Sequence, residues 1–331
     1  MNTSVASSPE EALWRPGAAA ATLHLRARMR ARVRAFFAAS QALEVETPVL
    51  CRTVPAEAAI DPVRAEVCGL RYCLRTSPEA AMKRLLAAGI GDCWQLGPVF
   101  RDGEEGERHQ PEFTLLEWYR VDTDHHELMD EVEALVAAVC AGECVVPAAE
   151  RWRWADAFEA VVGIDPFGAD GPALQRAAAE AGVGGVTGLA ADDRAGWLDW
   201  LLAAVIVPRL SADAPLFLHG WPVEQAALAR PEEHDPRCAA RFELYWQGVE
   251  LANGFRELGD ADEQRRRLDA ERAAMAGRGA DAPVQDEALL AALAAGLPDA
   301  AGVALGFDRL VMLAGGTSSL DAAMAFSFRR A

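Results

Sequence analysis

Two strand-like runs on either side of a highly charged stretch restrict the fold of this chain more than any other feature. The runs are Cys93–Leu96 and Phe113–Tyr119, and the chain between them is rich in charge from Arg101 to Arg108. Strand-forming residues that flank a polar loop in this way are typical of a β-hairpin. The sequence therefore predicts a hairpin with a long polar loop.

Hydrophobic periodicity and helix-capping residues predict the remaining elements. Apolar residues recur at helical spacing from Leu23 to Ala39, and Leu43–Pro48 then alternates like a strand that ends at proline. Ser77 is placed to cap a helix whose first turn contains Pro78. Further strands are predicted at Pro215–Leu218, Arg241–Trp246 and Val303–Gly306, and further helices at Glu127–Cys140, Ala261–Ala276 and Phe307–Leu313.

Length and composition predict one compact domain after a loosely ordered segment. The chain has 331 residues, of which 51% are apolar and 25% charged, as in ordinary globular proteins. Residues 1–22 lack clear periodicity, so we expect them to be loosely ordered. Residues 23–331 form the predicted domain. It includes a mostly helical, alanine-rich region at about 146–214, which we expect to serve packing or partner contact because no chemical motif is recognisable there.

Charge and cysteine usage restrict the partners and the compartment. The formal net charge of -18 repels polyanions, so a broad nucleic-acid surface is disfavoured. Seven cysteines are scattered without a CxxC pair, which argues against a zinc site and against a disulfide framework. There is no apolar run of membrane-spanning length and no recognisable signal peptide, so we expect a cytoplasmic protein without a membrane partner.

The predicted hairpin contains residue types that suit a nucleotide. Arg101 lies where the first strand ends, and Phe113 opens the second strand. The planar guanidinium group of an arginine binds phosphate oxygens, and the face of a phenylalanine ring can stack on a purine. A solvated hairpin with ordinary salt bridges is the alternative interpretation.

Two carboxylates, Glu243 and Glu250, are candidates for a magnesium site. Their odd spacing would put them on opposite faces of a continuous strand, so a bulge or a bend must intervene if both contact one ligand. Hard oxygen ligands beside phosphates suit Mg²⁺. The alternative is that both residues are ordinary exposed acids of an acidic protein.

A third motif joins a strand to a helix through Gly306. A glycine lets a ligand approach the backbone closely, and Arg309 in the first helical turn would point into the same cleft. A simple strand-to-helix turn explains this glycine equally well. Each of the three motifs is ambiguous alone, but they occur along the chain in a fixed order.

In their order and residues these segments resemble the catalytic cores of class II aminoacyl-tRNA synthetases. The matching segments are Leu25–Pro48, Phe100–Tyr119 and Gly302–Leu313. Thr76–Glu79, His109–Tyr119 and Glu250–Phe255 resemble the lysine-specific branch, and in particular its short ligases that modify a lysine of translation elongation factor P. The resemblance implies an α+β fold with an antiparallel sheet flanked by helices.

The resemblance also implies an activity and roles for individual residues. The implied enzyme activates lysine or β-lysine with ATP as an aminoacyl-adenylate and transfers it to a lysine side chain of elongation factor P. The residues implied to bind ATP are Arg101, Asp102, Gly103, His109, Gln110, Phe113, Glu243, Leu244, Gly306 and Arg309, of which Arg101 and Arg309 would be catalytic. Those implied to bind the amino acid are Ser77, Pro78, Glu79, Glu117, Tyr119, Glu250, Asn253, Glu257 and Ala304, and Glu243 with Glu250 would hold Mg²⁺.

Departures from the family pattern refine these expectations. Full lysyl-tRNA synthetases place an anticodon-binding domain before the first helix, whereas residues 1–22 precede it here, so we expect no anticodon recognition. Ala304 stands where synthetases usually have the middle glycine of Gly-x-Gly-x-Gly, and an extra methyl group beside the substrate is a means of discriminating between lysine isomers. This agrees with the preference for β-lysine over α-lysine that the resemblance to the ligases implies. The resemblance of Leu25–Pro48 to the class II dimer interface implies a homodimer. The alternatives are a truncated lysyl-tRNA synthetase that acts on RNA, an asparagine-forming ammonia ligase and a non-catalytic regulatory paralogue.

Overall fold

The predicted hairpin is the centre of a mixed β-sheet in the computed structural model, which describes residues 14–331. Its two strands pair antiparallel without a register shift from Cys93, opposite Tyr119, to Phe100, opposite Glu112. The charged residues form the loop between the strands. The sequence-based prediction of a hairpin with a long polar loop is therefore confirmed.

Eleven strands and ten α-helices make up the described part of the chain. The strands are β1 (Leu43–Glu44), β2 (Leu50–Cys51), β3 (Arg64–Val67), β4 (Leu70–Leu74), β5 (Cys93–Phe100), β6 (Glu112–Val121), β7 (Glu150–Arg153), β8 (Leu216–Pro222), β9 (Cys238–Trp246), β10 (Val249–Arg256) and β11 (Ala300–Gly306). The helices are α1 (Ala20–Ala39), α2 (Glu79–Ala87), α3 (His125–Cys140), α4 (Trp154–Val162), α5 (Gly171–Glu180), α6 (Arg194–Leu201), α7 (Val207–Leu210), α8 (Ala261–Gly277), α9 (Glu287–Gly296) and α10 (Phe307–Ala314).

Eight of these strands form the main sheet, in the order β1-β5-β6-β11-β10-β9-β8-β7. The interior pairs are antiparallel, whereas the two edge pairs, β1 with β5 and β7 with β8, are parallel. A smaller antiparallel sheet has the order β2-β4-β3. The predicted α+β class is confirmed, with the added finding that the sheet is parallel at both edges.

One face of the main sheet is buried against helices α1, α3 and α10. Trp118 on β6 and Phe242 on β9 point to this face and are completely buried. In α1, Met29 and Val33 are spaced four residues apart, so they lie on one side of the helix and pack into the same core. Because strand side chains alternate between faces, the neighbours of these sheet residues point to the opposite, open face.

The alanine-rich middle region packs around a second apolar core at the far end of the sheet. Trp154, Phe158 and Trp197 from helices α4 and α6 are almost completely buried in it. The region is not entirely helical, because β7 pairs in parallel with β8 and extends the main sheet. Its attachment through a strand fixes the position of these helices relative to the open face.

The chain before α1 is packed where the structure describes it. The backbone amide of Gly17 donates to the carbonyl oxygen of Ala325 at 2.9 Å, and Ala18 is buried. The expectation of loose order for residues 1–22 is therefore wrong for this part, because a segment near the other end of the chain satisfies its backbone groups. Residues 1–13 lie outside the described part.

Several predicted boundaries also differ from the structure, among them those of α1 and β1. Helix α1 begins at Ala20 and not at Leu23. The strand predicted at Leu43–Pro48 is limited to Leu43–Glu44, since β1 pairs with β5 over this dipeptide. All seven cysteines are free thiols. Within residues 14–331, the helices are too short or too polar to cross a membrane.

Candidate active site

A row of four paired residues crosses the open face of the sheet. Glu117 on β6 pairs with Ala304 on β11, Ala304 with Asn253 on β10, and Asn253 with Glu243 on β9. Residues directly opposite each other in antiparallel strands point to the same face, so these side chains form one line. The register of the sheet thus brings together predicted site residues that are far apart in the sequence.

A second row lies beside the first and contains a glycine. Tyr119 pairs with Gly302, Gly302 with Phe255, and Phe255 with Arg241. A Cβ atom at position 302 would lie 2.3 Å from Cε1 of Tyr119 and 2.6 Å from Oε1 of Glu257, which is too close for any side chain. Gly302 is therefore required by the packing of the side chains around it.

The two rows form the floor of a cleft of about 570 Å³, a volume typical of small-molecule sites. The predicted site residues that line the cleft are Ser77, Glu79, Arg101, Glu117, Tyr119, Glu243, Asn253 and Ala304. Lining residues that the sequence did not indicate include Glu57, Asp199, Trp221, Arg241, Tyr245 and Glu271. The hairpin, helix α2 and the strands β9 to β11 therefore contribute to one shared cavity.

A buried lysine forms ion pairs with two of the predicted substrate-binding carboxylates. Lys83 is the only lysine of the chain and is 1% exposed, and its Nζ lies 2.6 Å from Oε1 of Glu79 and 2.5 Å from Oε2 of Glu257. Burial alone would lower the pKa of Lys83, but the two carboxylates raise it above its ordinary value. Glu79 and Glu257 are thus engaged by a protein cation, and Glu257 lies behind Gly302 rather than on the cleft floor.

Glu117 is the carboxylate at the centre of the cleft floor. It is 2% exposed and accepts hydrogen bonds from Ser77 Oγ at 2.7 Å and from Tyr119 Oη at 2.8 Å. Burial and the negative charge of Glu79 raise the pKa of Glu117 to about 7, although both hydrogen bonds oppose the shift. A cation in the cleft would reverse this shift, because an opposite charge stabilises the ionised carboxylate. The floor is therefore suited to a positively charged ligand.

Ser77 has a second role at the start of helix α2. Its Oγ accepts a hydrogen bond from the backbone amide of Glu79 at 2.9 Å, as expected for the predicted capping residue. The same hydroxyl donates to Glu117, so the end of the helix and the cleft floor are connected through one side chain.

The acidic pair Glu243 and Glu250 is brought together by the turn between β9 and β10. The register of these strands shifts between Glu250 and Ala252, so the predicted bend and bulge are both present. Burial, opposed by Arg241, raises the pKa of Glu243 to about 7, and the charge of Glu250 adds to the shift. Two carboxylates that repel each other in this way fit a hard divalent cation such as Mg²⁺.

Glu243 is also held by two neighbours on its own strand. It accepts hydrogen bonds from the Arg241 guanidinium and from the Tyr245 hydroxyl. Nε of Arg241 donates to Oδ1 of Asn253 at 3.1 Å. The alternation of β9 places Arg241, Glu243 and Tyr245 on the cleft side, so this network runs along the floor.

Arg309, in the first turn of α10, contacts residues of both other motifs. It donates to the backbone oxygen of Glu250 at 2.8 Å and to Nε2 of His109 at 2.9 Å. Because arginine is only a donor, Nε2 of His109 is the acceptor and carries no proton. Burial and the positive charge of Arg309 lower the pKa of His109. The charge of Arg101 lowers this pKa further, and the charge of Glu250 raises it. The three sequence motifs therefore converge around His109.

Arg101 and Phe113, which were predicted to bind different parts of the nucleotide, contact each other in the structure. The guanidinium carbon of Arg101 lies 5.1 Å from the centre of the Phe113 ring, within the range of a cation–π interaction. Nη1 of Arg101 also lies 3.6 Å from Oε1 of Glu104 in the hairpin loop. In this arrangement Arg101 covers one face of the ring that was predicted to stack on adenine.

A buried aspartate that the sequence analysis did not single out fixes the start of α10. Asp308 is 2% exposed, forms an ion pair with Arg26 of α1 and accepts a hydrogen bond from the backbone amide of Thr114 at 2.6 Å. It thereby links α10 to α1 and to the hairpin strand β6. This network fixes the backbone position of the adjacent residue, Arg309.

Several groups predicted to bind ATP are engaged elsewhere. Oε1 of Gln110 accepts a hydrogen bond from the amide of Phe328 at 2.9 Å. The amide of Asp102 donates to the backbone oxygen of Asp61 at 2.7 Å, and that of Gly103 donates to the Asp102 side chain at 2.9 Å. A nucleotide would have to replace these bonds in order to use the same atoms.

Three further predicted residues lie at the margin of the cleft or face away from it. The side chain of Leu244 packs into the apolar core, because strand alternation points it away from the cleft; its assignment to the nucleotide site is wrong for the side chain. Pro78 precedes helix α2, and the residues on either side of it line the cleft. At Gly306 a Cβ atom would meet Arg309 only at ordinary contact distance, 3.5 Å, so protein packing does not require this glycine.

The middle region reaches the cleft, contrary to the expectation that it serves only packing or partner contact. Asp199 and Ala203 line the cleft wall. Burial raises the pKa of Asp199, although its carboxylate accepts a hydrogen bond from Gln225 at 3.0 Å that opposes the shift. The one available signal was an acid within the otherwise apolar run from Trp197 to Leu201.

The raised pKa of Glu117 predicts a pH-dependent cost to stability. The pKa shifts from 4.5 to about 7 on folding, so the folded chain holds a proton that the unfolded chain releases. The free energy of unfolding therefore falls as the pH rises from about 4.5 to 7, by roughly 3 kcal/mol for this residue. Glutamine does not titrate, so Glu117→Gln removes this fall in stability. The melting temperature of the variant minus that of the wild type should therefore rise between pH 5 and 7 and then stay constant.

The matched control is Glu112→Gln, which changes an exposed acid on the same strand and should show no such trend. Melting curves of the three proteins in ligand-free buffers from pH 5 to 8 provide the comparison. A difference between Glu117→Gln and the wild type that is independent of pH would contradict the assignment of the shifted carboxyl.

Comparison with known proteins agrees with this geometry. The family model described as tRNA synthetases class II (D, K and N) matches residues 12–330. Among curated proteins, the elongation factor P–(R)-beta-lysine ligase of Vibrio cholerae serotype O1 is 43% identical over 324 residues, which cover 96% of this chain and 98% of the relative. The ligase of the same name from Pectobacterium atrosepticum is 42% identical over 328 residues, covering 97% and 99%. The chain therefore belongs to the class II tRNA synthetase family (D, K and N), in the group that contains these ligases.

Proposed function

We propose that this chain activates a lysine-type amino acid, (R)-β-lysine in particular, with ATP and transfers it to a lysine side chain of translation elongation factor P. The observation that carries the proposal is the buried Glu117 on the cleft floor, whose pKa is raised to about 7 in the absence of a cationic ligand. A diamino acid supplies the missing cation. The identities of the amino acid and of the acceptor in this proposal come from the names of the relatives.

The cleft selects a substrate with an ammonium group at its far end. Glu117 and Tyr119 would accept and orient this group, and Asn253 borders the same floor. A hydrogen bond to a charged group contributes about 1.5 to 3 kcal/mol. A neutral side chain of similar size would leave the Glu117 carboxylate buried without a partner, so the same residue that binds lysine-type substrates rejects neutral amino acids.

The first chemical step forms the aminoacyl-adenylate. An oxygen of the amino-acid carboxylate attacks the α-phosphorus of ATP, the bond to the β-phosphate breaks and pyrophosphate leaves. Arg101 would bind the α-phosphate and His109, also from the hairpin, would approach the outer phosphates, while Arg309 from the third motif would lie against the adenine. The protein's contribution is to align the reactants and to neutralise charge on the phosphates, and alignment alone can contribute about 7 to 11 kcal/mol.

The acidic pair would hold the metal ion that accompanies ATP. The carboxylate oxygens of Glu243 and Glu250 are hard donors, which is the type of ligand that Mg²⁺ prefers. Bound there, Mg²⁺ would supply positive charge to the phosphates. Arg241 and Tyr245, which donate to Glu243, would keep its carboxylate in place.

The second step transfers the acyl group to the acceptor. The amine of the acceptor lysine attacks the carbonyl carbon of the adenylate, AMP leaves, and the amine nitrogen loses a proton as the amide forms. The enzyme offers little opportunity for acylation of its own side chains. Its one lysine, Lys83, is buried and paired with Glu79 and Glu257.

Labelled α-lysine or β-lysine, incubated with ATP and either elongation factor P or tRNA, tests the proposal. We expect label on elongation factor P and more of it from (R)-β-lysine than from α-lysine. An elongation factor P whose acceptor lysine is changed to arginine is the control and should stay unlabelled. Label on tRNA would support the RNA-charging alternative, and no ATP–pyrophosphate exchange with any amino acid would support a non-catalytic paralogue.

The double substitution Glu117→Gln with Tyr119→Phe tests the ammonium pocket. Removing the charge and one hydroxyl should lower amino-acid-dependent ATP–pyrophosphate exchange at least about 100-fold, given the free energy of two hydrogen bonds to a charged group. Glu112→Gln at the exposed first position of the same strand should leave exchange unchanged. Exchange at the wild-type rate in the double variant would refute the assignment.

Ala304 is placed to discriminate between lysine isomers. It lies between Glu117 and Asn253 in the floor row, so its methyl group borders the substrate. One methyl group in a binding pocket changes relative transition-state binding by roughly 1 to 3 kcal/mol. Ala304→Gly should therefore lower the ratio of kcat/KM for β-lysine to that for α-lysine about tenfold.

The control for this substitution is Ala301→Gly on the same strand, whose side chain is buried in the core on the other face. It tests whether loosening β11 alone changes the ratio. If both substitutions change the ratio equally, the effect does not come from the methyl group in the cleft.

We also propose that the chain works as a homodimer in the reducing cytoplasm, where its seven free thiols are stable. Leu43 on the edge strand β1 and Ile90 near it are exposed apolar side chains, at 51% and 44%. Together with the family resemblance of Leu25–Pro48, this edge is the proposed interface. Light scattering at micromolar concentration should give twice the chain mass of 35.5 kDa, and Leu43→Arg should give the monomer.

A further inference from the structure

Three histidines form a cluster on the side of the molecule away from the cleft. His125 and His126 open helix α3, and His219 lies on β8. One ring nitrogen of each lies within 4.8 Å of those of the other two. The rings also pack together, with centroids 4.1 Å apart for His125 and His126 and 5.2 Å for His126 and His219.

The buried member of the cluster has polar atoms without partners. His125 is 7% exposed, and among the described residues neither of its ring nitrogens has a hydrogen-bond partner. The same holds for Nδ1 of His219 and for Oε1 of Glu232, which lies 3.9 Å from Nε2 of His125. Unsatisfied buried polar atoms are rare in folded proteins because each costs about 1 to 3 kcal/mol. The unsatisfied nitrogens of His125 and His219, with Oε1 of Glu232 next to His125, indicate a ligand.

This cluster is separate from the candidate active site. His219 pairs with Phe242, whose side chain is buried under α3, so the histidine points to the same face. The next residue of β9, Glu243, faces the cleft on the other side of the sheet. The sheet itself therefore lies between the two sites.

We infer that His125, His126 and His219, with Glu232 as the fourth ligand, bind one divalent transition-metal ion of the zinc class. Three imidazole nitrogens and a carboxylate oxygen are a ligand set that zinc uses in proteins. Three imidazoles this close together repel one another when protonated, and the neutral form is the one that binds metals.

The geometry needs only small side-chain movements to close around an ion. Two nitrogens bound to zinc at about 2.0 to 2.1 Å in a tetrahedral site lie roughly 3.3 Å apart. His126 is exposed, so its ring is free to rotate inward and the ion can enter from that side. The backbone under His126 is fixed, because Asp124 caps the helix and accepts from the amides of His126 and Glu127 at 2.8 and 2.9 Å.

An arginine holds one oxygen of Glu232 and leaves the other next to the histidines. Nη2 of Arg153 lies 3.3 Å from Oε2 of Glu232. The other oxygen, Oε1, lies on the side of His125. A bound ion would join the start of α3 to β8 and to the loop that carries Glu232. Its role would be to stabilise the fold, since the sheet separates it from the cleft.

Zinc binding to the full chain tests the inference. Chain without a polyhistidine tag, cleared of metal with a chelator, is titrated with ZnCl₂ in a calorimeter, and Co²⁺ absorption is measured in parallel. We expect one ion per chain, a Co²⁺ spectrum of a four-coordinate site, and a higher melting temperature with one equivalent of zinc.

Two substitutions in the cluster and one outside it distinguish this site from chance binding. His126→Ala changes an exposed residue and should weaken zinc binding well over tenfold, and Glu232→Gln should weaken it about 10- to 100-fold. His24→Ala, an exposed histidine of α1, should bind as the wild type does. Circular dichroism without metal checks that each variant is folded. The absence of stoichiometric binding, or equal binding by His126→Ala and the wild type, would overturn the inference.

Discussion

The antiparallel register of β6, β11, β10 and β9 is the constraint on which the site depends. It aligns Glu117, Ala304, Asn253 and Glu243 in one row across the sheet. A shift of one residue in any pair would turn that strand's side chains to the opposite face. The packing of Gly302 against Tyr119 and Glu257 adds a steric condition on the same register, since no other residue fits there. Fold and site are therefore determined by the same pairings.

Charge balance inside the cleft gives the site its selectivity. The cavity wall contains more carboxylates than cations, and one of these carboxylates, Glu79, is paired with Lys83, which also pairs with Glu257 behind the floor. Glu117 is left with neutral hydrogen-bond partners and a raised pKa. Such an arrangement is unfavourable in the empty protein and favourable once a cationic substrate enters. The buried carboxylate therefore lowers the stability of the empty protein and strengthens the binding of a cationic substrate, a trade-off that is common at functional sites.

The sequence identified much of this arrangement because local patterns reflect local physics. Alternation and helical periodicity located α8 and α10 to within one residue, α3 to within two and the hairpin strands to within four. The odd spacing of Glu243 and Glu250 required a bulge or a bend, and the structure has a turn between their strands and a register shift after Glu250. Eight of the predicted site residues line one cleft. Leu244 was misplaced because a motif assigns neighbouring positions together, whereas a strand points adjacent side chains to opposite faces.

Residues whose role depends on distant partners were not predictable in this way. Lys83 resembles any basic residue on an amphipathic helix until Glu257 is brought next to it, and Asp199 reaches the cleft only because β7 attaches the middle region to the sheet. The histidines of α3 and His219 are also far apart in the sequence, and only the tertiary structure brings them together. The sequence alone determined the elements, the motifs and the family. Tertiary structure decided which charges are paired and which remain free for a ligand, because that depends on burial and on contacts between segments that no local pattern encodes.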